Sequence, residues 1–312
     1  LLNIEKAKSE HFDLVIIGGG ITGAGIFLRS CQNGLKTLLI DSSDFASGTS
    51  SRSAKMIHGG LRYLQYMQIK LVKEALIERE RLLLQYPHLV KPLPFVMPVY
   101  DSSFGMVKMK IGLTGYDQLA DSSILPKHHK LSKNELLQQY PLYKKEGLKG
   151  GFNYFDAITD DARLTNEVIM EASQLGGIAI NYLSAQNFEI IEGKIKTISV
   201  NNELTSEKFS INAEHFISAT GIWTDDILEK VEHQKEKMML PAKGIHLVMD
   251  GAHFPKKTAL LIPCTDKRML WVCPWVDGLV IIGTTDTPYQ GNLREPGANN
   301  QDVQYILENL NT

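Results

Sequence analysis

Cysteine is scarce. Only Cys31, Cys264 and Cys273 occur in 312 residues. They share no metal-ligand spacing and form no even-numbered set, so neither a disulfide framework nor a metal site is expected, and a reducing compartment is. Charge of one sign is also missing. Thirty-three basic residues face 35 acidic ones, a formal net charge of −2, so no general field draws in nucleic acid. No run of about 18 apolar residues occurs, which excludes a helix spanning a bilayer. The opening LLNIEKAKSEHF has no long apolar region, so a secretion signal is not expected. The chain opens without methionine and closes inside a helical pattern, Asp302 to Leu310, with no stop signal. A piece of a longer protein is expected. Internal repeats and low-complexity tracts are absent too.

Several elements are legible in what is present. Phe12 to Ile17 forms a short apolar run with Asp13 as its one charge, Gly18-Gly19-Gly20 breaks it, Ile21 to Asn33 has helical character, and Thr37 to Ile40 is a second apolar run. This is a β-α-β unit of mononucleotide-binding length. Met67 to Gln85 has helical periodicity, and the proline-rich stretch Pro87 to Pro98 ends it and opens a second domain. Leu131 to Tyr140 reads as a helix with Ser132 as N-cap and Glu135 completing a capping box. Asp160 or Asp161 caps a helix running to Leu175, and Gly176-Gly177 stops it. Strands follow from Ile178 to Ile217, with a hairpin at Glu192-Gly193-Lys194. Four more lie between Lys243 and Gly283: Ile245–Met249, Ala259–Ile262, Met269–Val272 and Leu279–Ile282. The pattern is α/β near the ends and antiparallel α+β between.

Gly18-x-Gly20-x-x-Gly23 lies between the first strand and its helix, and Asp41 ends the second strand. Gly18 permits the tight turn, Gly20 lets backbone approach a pyrophosphate, and Gly23 lets helix and strand pack closely. The helix N-terminus offers N–H groups to phosphate, and Asp41 can accept from ribose hydroxyls. An acidic residue there argues against a 2′-phosphate. FAD and NAD are not separated by this fingerprint.

Residues 47 to 63, SGTSSRSAKMIHGGLRY, go further. With Asp160-Asp161-Ala162-Arg163-Leu164, Ala219-Thr220-Gly221-x-Trp223, Lys243-Gly244-x-His246, Asp266-Lys267-Arg268, Pro274-Trp275 and Ile282-Gly283-Thr284-Thr285-Asp286, the chain resembles the FAD-dependent glycerol-3-phosphate dehydrogenases of the D-amino-acid-oxidase-like flavoprotein group, from Phe12 onward. The resemblance implies an α/β fold: a Rossmann-like FAD-binding domain (10–92, 160–225 and 283–312) interleaved with an α+β substrate or cap domain on an antiparallel sheet (93–159 and 226–282). The full family has a further C-terminal part, with another phosphate-binding arginine and a glycine-rich flavin segment, that does not occur in these residues. Thr49, Ser50, Ser51 and Ser53 are suited to a phosphate-ribityl chain. His58-Gly59-Gly60 sets an imidazole beside backbone that can approach a flat ring. Ala219-Thr220-Gly221 at a strand end suits close approach as well.

The implied reaction oxidises sn-glycerol 3-phosphate to dihydroxyacetone phosphate, a hydride passing from C2 to flavin N5 while a base takes the hydroxyl proton. His58 is the first candidate base and His246 the second. Arg62 and Arg268 are candidates for the substrate phosphate, because guanidinium matches its oxygens in a fork. Arg62 falls one turn after His58 if that stretch is helical, so the two would face one pocket; alone, Arg268 reads as a solvated hairpin tip. Tyr63 and Thr285 are candidate substrate contacts. Asp161 and Arg163 are read as structural. The resemblance also implies a membrane quinone as acceptor, a peripheral position on the cytoplasmic membrane face, and compatibility with a homodimer. Phe104 to Leu113, FGMVKMKIGL, suits a lipid interface, although an edge strand or buried helix is the plainer reading. Alternatives are an oxidase passing electrons to oxygen, a flavin-binding module without catalysis, and a flavoenzyme acting on an amine or hydroxy acid.

Overall fold

A computed structural model describes residues 2–100, 103–120, 124–232, 236–266 and 268–311. The chain divides into two compact units: Leu1–Ser53, Asp160–Pro241 and Gln290–Arg294 form the first, and Ala54–Thr159, Ala242–Tyr289 and Glu295–Thr312 the second. The first cut falls at 53/54, ahead of the 92/93 suggested by the prolines. Pro92, Pro94 and Pro98 lie inside a strand, Lys91–Val99. They share one parity, so their missing N–H groups fall on one side of that strand, where a sheet tolerates them best.

The elements, numbered along the chain, begin with α1 (Leu2–Ser9), β1 (His11–Ile17), α2 (Ile21–Gln32) and β2 (Thr37–Ile40) in the first unit, and continue with β3 (Met56–Ile57), α3 (Ile69–Gln85), β4 (Lys91–Val99), α4 (Ser103–Leu119), β5 (His129–Ser132), α5 (Lys133–Gln139) and β6 (Gly150–Ile158) in the second. The chain returns to the first unit with α6 (Asp161–Gln174), β7 (Ile178–Ile180), β8 (Leu183–Ile191), β9 (Lys194–Asn202), β10 (Lys208–Ser218) and α7 (Thr224–Glu232), then completes the second with β11 (Ala242–Lys243), β12 (His246–Asp250), β13 (Ala259–Pro263), β14 (Met269–Pro274), β15 (Leu279–Gly283), β16 (Thr287–Pro288) and α8 (Asn300–Leu310).

The first unit is a six-stranded sheet in the order β7-β2-β1-β10-β9-β8. The strands β7, β2, β1 and β10 run parallel. Their apolar runs, such as the fully buried Thr37–Ile40, fit strands covered on both faces. The β8–β9 hairpin turns at Glu192 (φ 50°) and Gly193 (φ 73°), a pair of positive φ values that matches strand twist. Phe12, Val15, Leu38, Ile40, Ile198 and Val200 are buried in its core.

The second unit is built on an eight-stranded sheet, β12-β15-β14-β13-β4-β6-β3, with β5 also on β6. Every pairing in it is antiparallel except β13 with β4. Two cores serve this unit, one around Val96, Leu136, Tyr143 and Ile306 and one around Leu76, Phe95, Leu113 and Phe152. Helix starts follow their side chains. Ser132 and Glu135 form the expected capping box of α5, Asp160 rather than Asp161 caps α6 through the Arg163 N–H at 3.0 Å, and Asn299 with Asp302 forms a capping box on α8. Phe104 to Leu113 belongs to α4, which is neither an edge strand nor a buried helix: Val107 is 55% and Ile111 69% exposed. Among the described residues no helix is long and apolar enough to cross a membrane, and no group of three or more metal-ligating side chains occurs.

Candidate functional site

In the first unit, β1 ends at Ile17 and Gly18 turns the chain with φ 113°. The Gly18 N–H donates to the Ile40 carbonyl at 2.8 Å, tying the turn to β2. A Cβ on Gly18 would lie 2.5 Å from the Ala219 carbonyl oxygen, and one on Gly23 would lie 1.8 Å from the Gly18 oxygen. Glycine is thus required twice by backbone against backbone. Gly20 is the N-cap of α2 and brings no side chain to the helix end, whose first N–H groups face outward as an anion site. A Cβ on Gly20 would approach the Ser50 hydroxyl to 3.1 Å, and that hydroxyl accepts from the Ile21 N–H at 2.9 Å.

Asp41 stands beside this turn. Its Oδ2 accepts from the Gly19 N–H at 2.7 Å and its Oδ1 from the Ser43 N–H at 2.8 Å. Each carboxylate oxygen has a second lone pair, so both bonds leave room for ribose hydroxyls. Burial pushes the Asp41 carboxyl above its ordinary value, opposed by the Ser43 and Gly19 N–H groups and the charge of Arg294. The Arg294 guanidinium donates to the Ser43 hydroxyl at 3.1 Å and lies 5.9 Å from the Trp223 ring. Sequence reasoning missed Arg294, since nothing local distinguishes it.

Thr49, Ser50 and Ser51 form one 3₁₀ turn. Ser53 is held otherwise. Its N–H and hydroxyl donate to Asp161 Oδ2 at 3.1 and 2.7 Å, so Asp161 anchors the end of the Ser-rich segment. Ala219 continues β10, its N–H donating to the Ile17 carbonyl at 2.8 Å. Thr220 and Gly221 (φ 56°) start a 3₁₀ turn, and the Thr220 hydroxyl meets that of Ser218 at 3.0 Å.

The other candidates lie in the second unit. His58 is exposed and stacks against Trp271, ring centroids 6.1 Å apart at 23°. The helical link between His58 and Arg62 is corrected: β3 ends at Ile57, Gly60 takes φ 72°, and a 3₁₀ turn starts only at Leu61. The positive φ breaks any common helix face. Arg62 and Tyr63 lie exposed in that turn. Gly59 is buried, and a Cβ there would lie 2.4 Å from Leu76 Cδ2 and 2.7 Å from the Tyr116 hydroxyl. His246 opens β12 opposite Gly283, whose missing side chain leaves room for the imidazole: a Cβ would lie 2.4 Å from its Cδ2. The buried Thr285 hydroxyl accepts from the Ile245 N–H at 3.0 Å. Arg268 sits at the β13–β14 tip with its Nε donating to Asp266 at 2.7 Å and its guanidinium 4.6 Å from the Tyr305 ring. Lys267 of the same motif lies outside the described residues. Lys243 is buried, its ammonium 2.5 Å from Asp302 Oδ2 and 3.1 Å from the Gly297 carbonyl.

The model of the family described as FAD dependent oxidoreductase matches residues 13–312. The chain belongs to that family. FAD is its cofactor. The chain is 40% identical over 310 residues to a Staphylococcus haemolyticus protein named aerobic glycerol-3-phosphate dehydrogenase, covering 98% of this chain and 56% of the relative. It is 33% identical, with a TM-score of 0.79, to the glycerol-3-phosphate dehydrogenase from Bacillus halodurans complexed with FAD, covering 99% of this chain and 54% of that one. The L-alpha-glycerophosphate oxidase from Mycoplasma pneumoniae shares the fold at 17% identity and a TM-score of 0.70. The chain spans about half the length of the glycerol-3-phosphate dehydrogenases it matches. The first unit fits the dinucleotide end of FAD: a Cβ on Gly20 would crowd the Ser50 hydroxyl from which a phosphate could accept, and α2 opens there. Gly20, Ser50, Asp41 and the first turn of α2 are the groups that would hold it.

Proposed function

We propose that this protein oxidises sn-glycerol 3-phosphate to dihydroxyacetone phosphate and passes the electrons to a membrane quinone. The observation that supports this best is a dinucleotide turn closed to any side chain at Gly18 and Gly23, in a chain alike over 98% of its length to an aerobic glycerol-3-phosphate dehydrogenase. FAD supplies the acceptor for the hydride that leaves C2. His58 takes the proton from the C2 hydroxyl, and its stacking on Trp271 limits its rotation. His246 is the second candidate for that role. Arg62 binds the substrate phosphate with a guanidinium free to turn toward it, whereas Arg268 is already engaged by Asp266 and Tyr305. Tyr63 and Thr285 complete the substrate contacts.

The membrane side of the proposal rests on the second unit. Tyr66, Met67, Ile69 and Leu71 are exposed beside the 3₁₀ turn that packs on α4, where Val107 and Ile111 are exposed too. Lys70, Lys73, Lys108 and Lys110 are exposed among them. Apolar side chains ringed by lysines suit an anionic lipid surface.

The test is anaerobic addition of sn-glycerol 3-phosphate to the FAD-loaded whole protein, following flavin absorbance near about 450 nm, since arrival of the hydride bleaches that band. Bleaching with dihydroxyacetone phosphate formed establishes the substrate. Bound FAD that never bleaches defeats the assignment. Hydrogen peroxide released in step with turnover in air would replace quinone by oxygen as acceptor.

A further inference from the structure

Beneath the His58-Gly59-Gly60 segment lies a set of charges that the proposed chemistry does not use. Arg79 of α3 is 3% exposed and Asp156 of β6 is 1% exposed. The Arg79 Nη1 donates to Asp156 Oδ1 at 2.6 Å and to the Phe155 carbonyl at 3.2 Å. The Tyr116 hydroxyl of α4 lies 2.8 and 3.1 Å from the two Asp156 oxygens. The Gly59 N–H donates to that same hydroxyl at 2.7 Å.

The direction of the chain follows from proton counting. A phenol has one proton and two lone pairs. Gly59 brings its own hydrogen, so the Tyr116 oxygen accepts there and its proton goes to Asp156. The array therefore runs from a guanidinium through a carboxylate and a phenol to one backbone N–H. It ends on the residue after His58, not on another charge.

Core stability does not account for these groups. They lie among Leu76, Phe95, Leu113 and Phe152, and a buried ion pair there gains little or nothing over apolar side chains of the same volume. The Arg79 Nε also lacks a hydrogen-bond partner among the described residues, so the array carries a desolvation cost that packing does not offset. What it does achieve is local. Gly59 is wedged between Leu76 and Tyr116, so tightly that no Cβ fits, and Gly60 reverses the chain at φ 72°. With the Gly59 N–H bonded from below and the His58 ring against Trp271, the imidazole leaves the backbone in one direction.

We propose that Arg79, Asp156 and Tyr116 are positioning residues that fix the His58-Gly59-Gly60 backbone and so the placement of the His58 imidazole. This rests on the reading in which His58 takes the substrate proton. None of the three is a catalytic residue: each is buried and acts through Gly59. Burial and then the Asp156 charge push the Tyr116 hydroxyl well above its usual value, and the guanidinium does not lose its proton. Burial pushes the Asp156 carboxyl up as well, opposed by Arg79, His58 and Tyr116. Arg79, Tyr116 and Asp156 are the ionisable groups of the array that reaches Gly59, and Asp156 interacts electrostatically with His58. Of these, Asp156 is the one anion linked to the His58 backbone.

The experiment uses the whole FAD-loaded protein with Tyr116→Phe and Asp156→Asn. Tyr116→Phe keeps the ring that packs against Tyr154 at 6.3 Å and leaves the Arg79–Asp156 pair intact, so it folds even where Asp156→Asn does not. Two quantities are read: exchange of the Gly59 amide, and kcat against KM. We expect Tyr116→Phe to speed Gly59 exchange by about tenfold and to lower kcat by about tenfold or more, with KM within about threefold, because misplacement penalises the transition state. Asp156→Asn removes the carboxylate oxygen that the Tyr116 hydroxyl and Arg79 share and is expected to move Gly59 exchange and kcat in the same direction. Unchanged Gly59 exchange and kcat in both variants, with only the melting temperature lowered, would overturn the proposal and leave a structural network. If the unaltered protein does not bleach with glycerol phosphate, the functional reading falls, yet Gly59 exchange still decides the network.

Discussion

Two glycines of α2 stand one half-turn apart and should respond to the same substitution with opposite sign. In Gly23→Ala the new Cβ would lie 1.8 Å from the Gly18 carbonyl oxygen. Carbon and oxygen need about 3.3 Å at their closest ordinary approach, so helix and turn must separate by about 1.5 Å. Both colliding atoms are held by backbone, and no flexible side chain can yield. Ala24, Phe27, Ser30 and Cys31 are the buried residues on the same helix, and a gap of even half to one ångström forfeits about a quarter to a half of each dispersion contact. Overpacking usually costs about 1–3 kcal/mol, and a clash with nowhere to relax falls at or above the upper end, about 3 kcal/mol. In Gly25→Ala nothing lies within 4 Å of the new Cβ, and alanine in a helix interior gains about 0.8–1 kcal/mol over glycine. The two variants should thus differ by about 4 kcal/mol, several hundredfold in the opening equilibrium. With two compact units, a single global transition is the wrong assay. Hydrogen exchange of peptides covering β1, α2 and β10 reads the first unit alone, and FAD retained after desalting reads the function of the turn. We expect faster exchange and lost FAD for Gly23→Ala, and slower exchange with FAD kept for Gly25→Ala. Wild-type protection and FAD content in Gly23→Ala would refute the steric argument and with it the reading of this turn as a close-approach site.

Arg62→Ala should lower kcat/KM for glycerol phosphate by about ten- to a hundredfold, the loss of a charged hydrogen-bonded contact of about 1.5–3 kcal/mol; Arg268→Ala should lower it less than about tenfold, because that guanidinium already serves Asp266 and Tyr305. Equal losses in steady-state kinetics would cancel this distinction. Asp161→Asn weakens the two bonds from Ser53 and should cost about 1–2 kcal/mol, seen as faster exchange at Ser53 with α6 unchanged. The Lys243–Asp302 pair makes α8 sensitive to acid: burial pushes the Asp302 carboxyl up, but the Lys243 ammonium and the Asn299 N–H outweigh it and hold it below its ordinary value of 3.8. A depressed carboxyl contributes stability above its unfolded value and loses it as pH falls through the folded one. Exchange in α8 should therefore accelerate below about pH 4, and Lys243→Met should reduce that dependence by removing the ammonium while the Asn299 N–H stays in place.

Legibility in the sequence tracked how local the controlling physics is. The glycine turn, Asp41, the Ser132–Glu135 capping box and the Glu192-Gly193 hairpin were all readable, because each depends on backbone sterics or on hydrogen bonds a few residues apart. The α/β class and the antiparallel second sheet followed from apolar runs and their spacing. The His58–Arg62 relation was misread because Gly60 was weighed only for close approach, and its positive φ separates the two residues. The nature of α4 was hard to see because Gly105, Gly112 and Gly115 depress helix propensity across it, and Val107 and Ile111 face outward while Leu113 and Tyr116 face the core. Arg294 and Ser53 acquire their roles through partners 251 and 108 residues away, which no window of sequence contains.

Arg79 shows where a clue was present yet unread. Glu78, Arg79, Glu80 and Arg81 form a charged run in α3, which suggests a solvated face. Val72, Leu76, Arg79 and Leu83 are nevertheless buried together, at spacings of four, three and four, the stripe a helix turns toward its core. A charge on that stripe must find a counter-charge inside: Asp156 of β6 lies 2.6 Å from the Nη1, and the buried Glu80 lies 3.9 Å from the Nη2. That pairing in turn explains why the neighbouring strand carries an aspartate between Phe155 and Ala157, where its burial would otherwise be prohibitive. Truncating Arg79 to methionine leaves Asp156 without its cation and should cost about 3–5 kcal/mol, while the double change Arg79→Met with Asp156→Leu should recover most of that. Recovery of stability without recovery of kcat would separate the two duties of the pair, core and positioning; recovery of both would mean that the charges serve packing alone.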